Sequence, residues 1–315
     1  MPYIGSPPSE PARSLTIVDK VAMVWDMETG DPDDFLTLLM LLDHPRVDLR
    51  AVTVVPGSPA QIGVVRHGLA LLDRTVPVGA YDITDTGGEV SAWHYEAFGD
   101  FPPSTEAEPA PELLLEYVDA DTTLLTGGPN RSLGAALAAA ERSGRDWRIG
   151  TWVAQGGFAG AGVVPREHQL PKFAGKVTCP TWNLNGDPAS ALRGLGYGGM
   201  GVRRFVSKNV CHGVIYDEAM HERFEPVRDR RRSLELVWTA MGDYLRRRKR
   251  GKAFHDPLAA ACAIDPSIGT WAEVELYYEK VGRWGEWGSR PRAGTGTWII
   301  TDHDHEKFLD TMLAA

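Results

Sequence analysis

A chain of 315 residues with 43% apolar and 24% charged side chains has the composition of an ordinary globular protein, long enough to bury one large core. Its net charge of −9 argues against a polyanion such as nucleic acid as partner, and the absence of any run of eighteen apolar residues argues against a membrane span. Cys179, Cys211 and Cys262 are odd in number, far apart and set in apolar surroundings, which points to reduced thiols in a cytoplasmic protein and to neither a disulfide nor a zinc framework. Residues 1–18, polar and proline-rich without an apolar h-region, read as a flexible tail, and 19–315 as a single domain.

Val18 to Trp25 is the first buried strand. It stops at Asp26, and an acidic Gly/Pro turn leads into an amphipathic helix from Phe35 to Leu42. Val47 to Val55 is a second strand, Gln61 to Leu72 a helix, and Val76 to Ala80 a short strand before a polar, aromatic loop from Tyr81 to Ser104. The alternation continues with a helix at Glu112–Tyr117, a strand at Thr122–Leu125, a helix at Leu133–Glu141 and a strand at Trp152–Ala154. After an irregular stretch come a helix at Pro188–Leu195, a strand at Val202–Lys208, a basic helix over Arg228–Arg250 and an apolar helix from Pro257. The basic run reads as a solvated helix face. Val274 to Trp298, rich in Trp, Tyr and Gly, reads as a twisted edge hairpin in which Trp284 and Trp287 pack. This order predicts an α/β fold with a mostly parallel central sheet, helices on both faces and a Rossmann-like core.

Chemistry concentrates at the first strand-to-helix turn. Asp26, Glu28, Asp31, Asp33 and Asp34 put five carboxylates within nine residues, and a fold that gathers such mutually repelling groups needs a hard cation or an array of sugar hydroxyls between them. In an open α/β sheet that position lies at the carboxyl end of a strand, where ligands bind. A solvated acidic turn, with Asp33 and Asp34 facing the positive start of a helix, is the alternative.

Four separated motifs carry a family resemblance: the loop ending at Pro32–Asp34, LTGGPNRSL at Leu125–Leu133, WNLNGDPASA at Trp182–Ala191, and FHDPLAAACAIDP at Phe254–Pro266. In order and spacing they resemble the calcium-dependent nucleoside hydrolases of the inosine-uridine preferring type, over nearly the whole chain from Lys20. The resemblance implies hydrolysis of the N-glycosidic bond of a ribonucleoside or modified nucleoside, Ca2+ as cofactor, and a homodimer or homotetramer. It implies Asp26, Asp34, the Thr126 carbonyl and Asp256 as metal ligands, Asp26 as the base, Asp33 at the ribose hydroxyls and His255 at the leaving group. His94, Lys176, Trp182 and Asn183 fall in substrate-binding regions. The register of the first loop is open between Asp26 and Glu28; Asp26 is preferred because the sheet positions it, with Glu28 and Asp31 as further candidates.

Three departures bear on the substrate. Gly57-Ser58 replaces the Gly-Asn pair whose Asn holds ribose hydroxyls, while Thr181 and Lys176 stand where a Glu and an Asn grip the ribose 5′-hydroxyl. A nucleoside charged at C5′ is therefore an alternative substrate, and a non-catalytic nucleoside- or sugar-binding protein an alternative function. A phosphatase of the haloacid dehalogenase type, which also opens with a strand-end Asp, would leave His255-Asp256 unexplained.

Overall fold

A computed structural model describes residues 20–85, 89–281 and 284–314, so the tail expected over 1–18 lies outside the described residues. β1 (Val21–Met27) runs into α1 (Pro32–Leu42), β2 (Val47–Val54) into α2 (Pro59–Leu71), β3 (Val78–Ala80) towards α3 (Ala92–Phe98), and β4 (Glu108–Pro109) into α4 (Ala110–Tyr117). Next come β5 (Thr123–Thr126), α5 (Arg131–Ser143), β6 (Ile149–Gln155), β7 (Thr178–Cys179), α6 (Trp182–Gly186) and α7 (Pro188–Gly196). β8 (Met200–Val206), α8 (Lys208–Cys211), β9 (Ile215–Tyr216), α9 (Glu218–Phe224), α10 (Arg232–Arg248) and β10 (Lys252–Ala253) lead to α11 (His255–Ile264). The chain continues through β11 (Gly269–Val281), β12 (Trp284–Pro291), β13 (Thr297–His303) and α12 (His305–Met312).

Eleven strands form one sheet in the order β4-β3-β2-β1-β5-β6-β8-β13-β11-β12-β7, parallel from β4 through β13 and antiparallel beyond. The order grows outward in both directions from β1, and the gap between β1 and β5 is the topological switch point. Alternate side chains of β1 enter different cores. Met23 and Trp25 pack with α1, α2, α10 and α11 on one face, and Val24 packs with α4, α5 and α7 on the other, giving the expected helix-covered sheet.

Helix α1 is buried on every side, from Pro32 to Leu42, and its run FLTLLMLL supplies apolar contacts all round. Proline at its first position, with Asp33 and Asp34 in the first turn, gives it a start compatible with the helix dipole. The position is costly all the same: both carboxylates are almost fully buried.

Several sequence expectations change. The loop expected over 81–104 contains α3, where Ser91 accepts a hydrogen bond from the Trp93 amide and the Trp93 and His94 rings turn inward. The β11–β12 hairpin forms, yet β7 occupies the sheet edge. Trp287 is fully buried, whereas Trp284 is 76% exposed and does not pack as expected. In the basic run, the residues of the last turn of α10 are exposed as expected, with Arg247 and Arg248 near Glu96. Arg231 and Lys252, at either end, are buried in ion pairs. All three cysteines are buried and unpaired, and among the described residues no helix is long and apolar enough to cross a membrane.

Candidate active site

The carboxyl ends of β1, β2, β5 and β6 open into a cleft of about 650 Å³. Its walls include Glu28, Asp31, Asp33 and Asp34 from the β1–α1 segment, Val55 and Pro56 beyond β2, Gly127 beyond β5 and Gln155 at the end of β6. Thr181, Trp182, Asn183, Lys208, His212, His255 and Asp256 complete the opposite side. Strand register thus brings segments distant in sequence to one place, at the switch point where an open parallel sheet leaves a crevice.

Asp33, Asp34 and Asp256 form a buried trio whose ligand oxygens lie within 4.8 Å of one another. Asp33 is the anchor. Its Oδ1 accepts from Lys252 Nζ at 2.9 Å, and its Oδ2 accepts from the backbone N–H groups of His255 (2.9 Å) and Asp256 (3.2 Å). A side chain 222 residues away therefore satisfies amide groups that would otherwise be orphaned at the start of α11, and it docks that helix on α1. Burial would push the Asp33 carboxyl up, but the Lys252 ammonium and these donors outweigh it and hold the group below the ordinary carboxylate range.

Lys252 also pairs with Asp31 at 2.9 Å, and among the described residues no ammonium or guanidinium group lies within 4 Å of Glu28, Asp34 or Asp256. Burial first, then mutual repulsion, raises the Asp34 and Asp256 carboxyls well above their usual value and Glu28 to about 7. Asp256 Oδ1 is buried without a hydrogen-bond partner, and a Cβ at position 127 would stand 2.5 Å from it, so glycine lets the β5 turn approach the carboxylate. A buried set of hard oxygen donors, one of them orphaned and together short of positive charge, fits a divalent cation.

Asp26, expected as ligand and base, lies behind the cleft, with its Oδ2 buried and without a hydrogen-bond partner. It lies inside the ladder, with Thr53 on one neighbouring strand and Thr126 on the other, and is not on the cleft wall. Its Oδ1 accepts a 2.6 Å hydrogen bond from Thr53 Oγ1, and burial pushes the carboxyl up to about 7. Glu28, one residue past the strand end, is the carboxylate that reaches the cleft; its Oε2 accepts from the Trp182 indole N–H at 3.3 Å.

His94, expected in a substrate-binding region, also lies away from the cleft. It is fully buried, bonded through Nδ1 to the Ser91 carbonyl and set edge-on to Phe35, with burial lowering its pKa to about 4. Ser58 caps α2 with its hydroxyl, so the contact expected to be weakened at this position is absent from the cleft wall. Lys176 is exposed and off the wall; Lys208, the first residue of α8 just beyond β8, lines it instead. Asn183 does line it, donating to Gln155 Oε1 at 2.6 Å. Thr126 ends β5 directly before Gly127, and His255 keeps a buried, unpartnered Nδ1 at the start of α11. Sequence reasoning missed Lys252, Lys208 and Gln155, although each stands next to a motif or at a strand end.

The chain belongs to the inosine-uridine preferring nucleoside hydrolase family, whose model matches residues 23–310. It is accordingly an N-ribosyl hydrolase of the glycosidase class. A protein of Aquifex aeolicus described as uncharacterized is 30% identical over 298 residues, spanning 91% of this chain and 97% of that one. Among solved structures, the purine-preferring ribonucleoside hydrolase from Gardnerella vaginalis matches with a TM-score of 0.68 at 18% identity, covering 93% of this chain and 96% of its own. An inosine-guanosine nucleoside hydrolase (TM-score 0.66, 18%) and the inosine-uridine preferring nucleoside hydrolase from Bacillus anthracis (0.62, 19%) each cover 93% of this chain and 97% of their own. At these identities the structural likeness establishes the fold.

Proposed function

We propose that the protein hydrolyses the N-glycosidic bond of a ribonucleoside to free base and ribose, using one calcium ion held by Asp34, Asp256, the Thr126 carbonyl and Glu28. The observation that carries this reading is the buried Asp33-Asp34-Asp256 trio at the β1–β5 switch point, in which, among the described residues, only Asp33 has a cationic partner. All-oxygen, strongly anionic donors suit calcium better than a softer metal. When bound, the ion supplies Lewis-acid polarisation of a water and a template for the ribose 2′ and 3′ hydroxyls.

The chain's own residues perform the proton chemistry. Glu28 takes a proton from the attacking water as its oxygen bonds to C1′; the C1′–N bond breaks with its electron pair leaving on the base, through an oxocarbenium-like sugar. His255, whose Nδ1 is buried and unpartnered beside this cleft, gives a proton to the departing base as that electron pair arrives on it. Asp33, committed to Lys252 and the α11 amides, positions Asp256 and leaves little acceptor capacity for the sugar. The Trp182 indole orients Glu28 from the cleft rim.

Replacing one carboxylate at a time tests the roles. Glu28→Gln should lower kcat by about 10³-fold, within the range for a lost general base, while Asp26→Asn, which keeps an acceptor for Thr53, should lower it less than about 10-fold. Steady-state release of base from inosine and adenosine measures both. A larger loss for Asp26→Asn would return the base to the strand.

A further inference from the structure

One wall of the cleft carries charge of the opposite sign. Lys208 lines it, with Nζ donating to the Pro180 carbonyl at 2.9 Å, next to Thr181 and Asn183. Behind it, Lys172, Lys176 and Lys208 surround one aromatic ring, their ammonium nitrogens 5.2, 6.0 and 5.9 Å from the Phe173 centroid. Lys172 Nζ donates to Nδ1 of His212, another cleft residue, at 2.7 Å. Among the described residues, none of the three lysines has a carboxylate within 4 Å of its ammonium. Thr181, 1% exposed and on the same wall, has an Oγ1 with no hydrogen-bond partner. Three ammonium groups around one ring, with an orphaned buried hydroxyl on the same wall, make a surface that an anion fits.

The chemistry of ribose says where that anion sits. On the calcium-hydrolase reading, the 2′ and 3′ hydroxyls face the carboxylate cluster and C1′ carries the base, so C5′ is the carbon left to carry a substituent. From Lys208 and Thr181, which stand together on the cleft wall beside Asn183, we infer that the substrate bears an anionic group at C5′, a phosphate monoester, with Lys172 adding positive charge from behind, making the substrate class ribonucleoside 5′-monophosphates. The inference rests on the hydrolase reading for its orientation. Ammonium groups bind phosphate as point charges, and the Thr181 hydroxyl adds a neutral donor.

The test compares kcat/KM for a ribonucleoside and its 5′-monophosphate in the calcium-loaded native protein, Lys208→Glu and Lys172→Glu. The native protein should favour the monophosphate, and that ratio should fall by about tenfold or more in each variant, as expected for a lost charge-assisted contact. A native preference for the free nucleoside, or a ratio unmoved by charge reversal, overturns the inference. A nucleoside 5′-carboxylate run alongside identifies the anion: turnover as efficient as that of the monophosphate overturns the choice of phosphate. Should the native protein hydrolyse neither compound, the hydrolase reading fails, and calorimetry with ribose 5-phosphate and ribose then decides the lysine wall separately. Tighter binding of the phosphate, lost in Lys208→Glu, upholds it, and equal binding overturns it.

Discussion

Asp256→Asn and Asp34→Asn should each reduce turnover by more than about 10³-fold, the several kcal/mol expected when metal-assisted charge stabilisation is lost. The same substitutions should leave the chelated protein at least as stable as the chelated parent. Both carboxyls are raised well above their usual value by burial and by neighbouring carboxylates, so ionising them opposes folding when no cation is present. A neutral amide removes that repulsion. Thermal unfolding in chelator, paired with base-release kinetics in calcium, checks the two signs together. Loss of activity accompanied by a large loss of chelated stability would mean that these residues hold the fold and not an ion.

Lys252→Met should have the opposite signature. The lysine side chain is 8% exposed and bridges Asp31 and Asp33, and removing one partner of such a buried pair costs about 3–5 kcal/mol because the other charge is left uncompensated. Asp33 would then cap α11 through its two backbone contacts alone, loosening the docking of α11 on α1 and with it the placement of Asp256. Denaturant unfolding measures the loss, and adding Asp33→Asn should recover part of it because the orphaned charge is gone. A change below about 1 kcal/mol in Lys252→Met would show that the pair is not a structural clamp.

Much of this was legible in the sequence, for physical reasons. The parallel sheet follows from apolar strands alternating with helices, and the site's location follows from an acidic turn at a strand end together with His255-Asp256 at a helix start. Which carboxylate faces the cleft was not legible from spacing, because Asp26 and Glu28 are two residues apart and a strand would point both the same way. The ladder decides: β1 ends at Met27, so Asp26 is enclosed by Thr53 and Thr126 while Glu28 escapes. Lys252 was hidden at the end of a basic run whose preceding arginines are solvated. The helix stops at Arg248 and Lys249 takes a left-handed φ of 50°, which turns Lys252 inward. His94 looked like a loop residue because a seven-residue helix in a polar stretch leaves a weak periodic signal, yet that helix buries its ring. Lys208 could have been read from its place just beyond a strand, at the start of α8, whereas Lys176 rested on aligning a variable loop.

The central claim, cation-dependent cleavage of an N-ribosidic bond, is tested most directly by measuring free base and free sugar released by the native protein before chelation, after it, and after calcium is restored. The account predicts equimolar base and sugar, loss of both on chelation and recovery with calcium. Undiminished release in the thoroughly chelated protein would contradict it.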